Sequence, residues 1–239
     1  MEWYMMYMPI AGIEIFWPGL VLIGFAVGCI GGFFGMGGAW MVTPGLNILG
    51  FPMAFAIGTD IAHIAGKSMI STFRHSKFGN VDYKLGLIMI VGTVIGIEVG
   101  AQVVMWLERI GQVGPVVRWV YIGLLALIAL MVFYDYYKAT QKKKIGDVGE
   151  HGAEGITWYK TLHRINIPPV IHFKVAGITC SAWLPIFVSF LTGVLAGFLG
   201  IGGGLIRMPA LVYLIGCPTH IAVGTDLFEV MISGLYGTF

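Results

Sequence analysis

Asp60, His63 and Lys67 stand at i, i+3 and i+7 in an otherwise apolar stretch. A helix there would carry all three on one face. A second apolar stretch carries Asp226 and Glu229, and Arg207 lies shortly before them. Glu98 falls in the middle of a third. In hydrocarbon an ionisable group is costly unless it is paired, protonated or wetted, so each of these needs a reason. Arg207 offers a rigid fork of donors suited to an oxyanion. Asp60, Asp226 and Glu229 are then candidate proton carriers. The competing reading is an Arg207–Asp pair that ties two halves of the chain together, with Lys67 reaching to the membrane surface. For Glu98 both kinds of role stay open.

Glycine placement repeats in the same way. Gly35-Met36-Gly37-Gly38 through Pro44 matches Gly200-Ile201-Gly202-Gly203 through Pro209 at an offset of 165, and Pro52 through Asp60 matches Pro218 through Asp226 at an offset of 166. Asp60 thus corresponds to Asp226, His63 to Glu229 and Val42 to Arg207. The chain contains itself twice, and a repeat decides architecture before anything else does. Each copy reads as a helix, a Gly-rich break, a short helix with a Pro and a longer helix. Matched breaks in two halves point to a carrier's binding site, because irregular backbone at membrane depth survives only inside protein or beside a wet cavity. A break followed by a helix N-terminus offers free amides and a positive dipole end to an anion. The expected substrate-binding set is therefore Gly35, Gly37, Gly38, Thr59, Gly200, Gly202, Gly203, Arg207 and Thr225. The alternative is that the glycines only allow close packing. Neither copy ends in Gly-Lys-Ser/Thr, so a nucleotide-binding loop is excluded.

The elements that must hold these groups are membrane helices. Hydrophobic residues make up 57% of the 239 and charged residues 11%, against about 25% charged in a soluble domain. Such a chain cannot wet a water-facing surface. Residues 17–34, 85–107, 116–134 and 175–199 read as spanning helices of the length that crosses a bilayer. Gly92, Gly96 and Gly100 line one face of the second and favour close helix contact. Cys29, Cys180 and Cys217 are isolated in apolar settings, with no metal or disulfide spacing, and read as small buried hydrophobes. No metal and no cofactor is expected. The N-terminus lacks a basic start and a cleavage site, so the first apolar segment reads as retained.

Of fourteen Lys and Arg residues, four lie between Lys67 and Lys84 and seven between Lys138 and Lys174. Two crossings separate these windows, so both face one side, which the positive-inside rule makes the cytoplasm. The organisation reads as a first transmembrane repeat at 1–137, a basic cytoplasmic linker at 138–174 and a second repeat at 175–239. Whether the repeats run parallel or inverted is not fixed by these signals. The localisation is the inner cell membrane, multi-pass.

The stretches GFFGMGG (Gly32–Gly38) and GFLGIGGG (Gly197–Gly204), each followed by a Pro and then Gly-Thr-Asp, resemble the TauE/SafE sulfite exporter family. Gly79-Asn80-Val81-Asp82 before a Gly-spaced helix is also similar to that family's pattern. The resemblance runs from about residue 17 to 239, apart from 138–174. It implies an all-α polytopic transmembrane protein built from two homologous repeats with Gly-broken helices. It also implies transport of sulfite, thiosulfate, an organosulfonate or a related anion. Where the family commonly has Ser, this chain has Asp60 and Asp226, which leaves the choice of anion open.

The expected function is a secondary carrier for a small sulfur-containing oxyanion, coupled to protons, with the lipid bilayer and the anion as its partners and no nucleic acid. An anion or small-solute channel and a non-catalytic subunit of a membrane complex are the alternatives. No HExxH, Gly-x-Ser-x-Gly or Cys/His cluster supports an enzyme. At offset 166 Phe239 aligns with Phe73, so the second repeat is expected to lack a counterpart of Arg74 to about Tyr137. A homodimer in which one chain completes the other is the competing expectation.

Overall fold

A computed structural model of the chain describes residues 4–34, 39–143 and 168–238. It is mostly helical. Two β-hairpins, Met5–Met8 (β1) with Ile13–Phe16 (β2) and Val170–Phe173 (β3) with Ile178–Ser181 (β4), are the strands among the described residues. The helices are Trp17–Phe34 (α1), Ala39–Ile48 (α2), Met53–Lys77 (α3), Tyr83–Arg109 (α4), Val113–Lys143 (α5), Trp183–Leu199 (α6), Gly204–Tyr213 (α7) and Thr219–Thr238 (α8). Two of them, α4 and the Val113–Tyr134 part of α5, are long and apolar enough to cross a bilayer unaided.

Local chemistry explains the boundaries. Pro52 starts α3, where a missing amide costs nothing. That helix ends in Arg74, His75 and Lys77, which suit the negative end of its dipole. Asp82 caps α4, its Oδ1 accepting from the Leu85 amide at 3.1 Å. Pro44 and Pro209 lie inside the two ten-residue helices α2 and α7, where each removes a backbone donor.

The second hairpin shortens one expected span. The span anticipated over 175–199 begins only at Trp183, because β3 and β4 occupy the residues before it. The stretch expected as a linker, 138–174, starts as the end of α5 and finishes one residue past β3. The rest of it, 144–167, lies outside the described residues.

Two helix pairs hold the fold together. Along α4, a Cβ added at Gly92, Gly96 or Gly100 would strike the carbonyl oxygens of Ile186, Phe190 and Val194 in turn. On α6, Gly193 and Gly197 meet the backbones of Thr93 and Ile97. The order of these contacts makes α4 and α6 parallel. Small residues on both faces let the two backbones touch, which is how membrane helices gain packing without a hydrophobic driving force. Helices α3 and α8 run antiparallel, with Gly237 beside Ile61, Gly234 beside Ala65 and Gly224 against the Asn80 carbonyl.

Candidate functional site

The break between α6 and α7 is built from glycines because its backbone demands them. Gly200, Gly202 and Gly203 have φ of 75°, 66° and 76°, the left-handed region that side chains other than glycine's rarely adopt. The space is as tight as the backbone. A Cβ at Gly200 would come within 3.0 Å of the Ile57 Cα and the Thr43 hydroxyl, and one at Gly202 within 2.9 Å of Ile64. Tyr121 donates its hydroxyl to the Leu199 carbonyl at 2.9 Å, fixing the last turn of α6. The break of the second half therefore rests on α2 and α3 of the first. Beneath it lies a cavity of about 10 Å³, water-sized and bounded by Ile61, Ile64, Gly202 and Ser233 among others.

Arg207, one turn into α7, is fully buried. Its Nη1 pairs with Asp226 at 3.3 Å and with Glu229, both on α8. Its Nε donates to the Thr192 hydroxyl on α6 at 3.1 Å. The expectation of an unpaired donor fork is corrected: burying a guanidinium without counter-charge is too costly, and two carboxylates supply it. This pairing lies within the second half, not between halves. One group stays uncommitted, since Nη2 has no hydrogen-bond partner among the described residues and lies over Gly203. The amides of Ile206 and Arg207 bond back to the Gly203 carbonyl, so α7 starts at the break and directs its positive end there.

The first half carries a quieter version. Asp60 is fully buried on α3, and its Oδ2 accepts from the Thr43 hydroxyl at 2.9 Å and the Thr43 amide at 3.2 Å. His63 Nδ1 stands 3.8 Å from the other oxygen, on a half-exposed side chain. Val42 stands where the second half has Arg207, so hydroxyl and amide donors do here what the guanidinium does there.

The remaining expected residues divide. Thr59 is exposed on α3, away from the buried set. Thr225 is buried, but its hydroxyl accepts from the Asp82 amide at 3.0 Å and so ties α8 to the start of α4. Gly35, Gly37 and Gly38 lie outside the described residues. Glu98 is on the α4 surface, accepting from Gln102 at 3.0 Å and from Tyr236 at 3.3 Å beside an open groove of about 650 Å³.

Two residues at the site escaped sequence reasoning, and so did the structural role of Asp82. Thr43 and Thr192 are neutral donors and acceptors with no motif around them. Asp82 did carry a signal, an acid directly before an apolar helix. Its second oxygen accepts the Val175 and Ala176 amides at 3.2 and 3.1 Å, which clamps the β3–β4 turn onto α4.

The chain has clear relatives in sequence. The chain is 25% identical to the probable membrane transporter protein YunE of Bacillus subtilis over 227 residues, which covers 92% of this chain and 76% of that protein. A probable membrane transporter protein of Xylella fastidiosa is 26% identical over 91% of this chain and 69% of its own length. One of Methanocaldococcus jannaschii is 38% identical over 31% of this chain and 32% of its own. No solved structure matches the chain. Residues 20–239 match the sulfite exporter TauE/SafE family, so this is a membrane transporter protein belonging to that family.

Proposed function

We propose that the chain is a proton-coupled secondary carrier for a small sulfur-containing oxyanion, such as sulfite, thiosulfate or an organosulfonate. Its two halves are homologous repeats of inverted orientation, and its basic stretches 67–84 and 138–174 face the cytoplasm of the inner membrane. The antiparallel run of α3 against α8 supports the inversion, since these helices carry the matched Asp60 and Asp226.

One observation carries the reading: a fully buried Arg207 shared between Asp226 and Glu229 at the edge of a glycine break, with Nη2 lacking a hydrogen-bond partner among the described residues. Two carboxylates against one guanidinium leave the cluster one negative charge in excess, a poor state for hydrocarbon. A proton removes that excess and loosens the hold on Arg207. An oxyanion arriving at the α7 N-terminus would take the guanidinium from the carboxylates. Protonation and anion binding then favour each other, which is the reciprocal linkage a coupled carrier needs.

The test is uptake of radiolabelled sulfite, thiosulfate and sulfoacetate into proteoliposomes, with and without a pH gradient. Saturable flux of one of them, accelerated by the gradient, is expected. Flux no different from protein-free liposomes for all three would dismiss this substrate class. Conductance far above carrier turnover would favour the channel.

A further inference from the structure

The strands and turns before α1 and α6 match at the same offset of 165 as the glycine motifs. Met5–Met8 corresponds to Val170–Phe173, and Ile13–Phe16 to Ile178–Ser181. Gly12 and Gly177 share a φ of 66°, and each amide bonds to the carbonyl four residues back at 2.8 Å. Ile15 and Cys180 are buried at equivalent places. Hairpin plus helix is thus one surface that the chain builds twice.

The two copies differ in what covers them. On the second, the Val175 and Ala176 amides hold the N-cap carboxylate of α4, Gly193 lies against Thr93 and Ser189 is fully buried. On the first, the equivalents are Ile10, Ala11, Gly28 and Gly24. Ile10 is 85% exposed, and neither it nor Ala11 has an acceptor for its amide among the described residues. A Cβ at Gly24 or Gly28 would meet nothing within 4 Å. Val21, Leu22 and Phe25 beside them are exposed.

We infer that this α1 face, with the β1–β2 turn at its end, is a docking surface for a membrane helix of α4's own chemistry: an N-cap carboxylate followed by an apolar helix with small residues every fourth position. The occupant is a separate helical segment of that type, not a second α1. The occupied twin shows which features the surface selects. Two adjacent turn amides suit a carboxylate, and a glycine-lined face suits a helix that can approach backbone to backbone. The inference rests on the duplicated architecture and not on any substrate, so its test involves no transport.

The full chain is reconstituted in bilayers with a synthetic peptide of the 81–109 sequence. Cys29 reports occupancy: it is exposed on this face, Cys180 and Cys217 are buried, and it stands where Val194 meets Gly96 and Gly100. Its alkylation by a membrane-permeant maleimide, read by mass spectrometry, should slow several-fold with the peptide. A peptide with Leu at the positions of Gly92, Gly96 and Gly100 should give no protection. Replacing the position of Asp82 by Ala in the peptide should weaken protection. Gly28→Leu in the chain, which has room for the side chain, should abolish it. An unchanged rate with the native peptide overturns the inference, as does equal protection by the Leu peptide. Protection that rises with chain density without peptide also overturns it, because a second copy would then be the cover.

Discussion

Arg207 and Glu229 form an ion pair in which both side chains are wholly shielded from solvent. Removing one member of such a pair strands the other. Arg207→Met alone should therefore destabilise the protein by about 3–5 kcal/mol. Combining it with Asp226→Leu and Glu229→Leu should recover most of that loss in thermal unfolding, while transport stays absent. Recovery of both stability and transport would make the cluster a dispensable strut.

Asp82 joins α4 to the β3–β4 turn through one carboxylate. Asp82→Ala removes the α4 cap and leaves the Val175 and Ala176 amides without their acceptor. The expected loss is about 2–4 kcal/mol, combining a helix cap with charge-assisted bonds to one buried and one part-buried amide. Hydrogen exchange should rise first in the β3–β4 turn. An unchanged exchange rate there would mean that the turn is held by its own strand pairing.

The glycines should separate sharply by position. Gly96→Leu drives a side chain into the Phe190 backbone and should prevent stable insertion, whereas Gly28→Leu should leave the isolated chain as stable as before. Comparing detergent-solubilised yield and melting temperature of the two variants checks this. Equal tolerance would remove the claim that α4 and α6 pack through their backbones.

Thr43 is the donor to Asp60 that no motif announces. Thr43→Val removes the hydroxyl bond and keeps the amide bond, and should cost about 1 kcal/mol. Asp60→Asn should be tolerated better than Asp60→Leu, because an amide oxygen still accepts from the Thr43 amide. Melting temperatures of the three variants decide the order.

Much of this was legible in the sequence, and the rest was hidden for physical reasons. The 85–107 span was readable because a long apolar run with glycines every fourth residue has one good solution, a helix packed closely on another. After Leu199 the backbone takes three positive φ values that only glycine adopts freely, at glycines the sequence singled out, while their counterparts Gly35, Gly37 and Gly38 lie outside the described residues. The hairpin at 170–181 was missed because its apolar strands are four residues each, and so short a run does not distinguish strand from helix end. The chain did hold the clue: Ile10-Ala11-Gly12 and Val175-Ala176-Gly177 stand at the same offset as the motifs. An Arg207–Asp pair was among the sequence alternatives, but as a tie between the halves; that Asp226 and Glu229 of the same half hold Arg207 depends on burial, and burial is a property of the packed fold.

The central claim is that anion movement draws on protons held by the Arg207 cluster. The most direct measurement is the pH dependence of anion flux in proteoliposomes for the wild-type chain and for Asp226→Asn combined with Glu229→Gln. The account predicts a flux that rises toward acid pH in the wild type and a flat profile in the double variant, with insertion unchanged. A double variant that keeps the wild-type profile would contradict it.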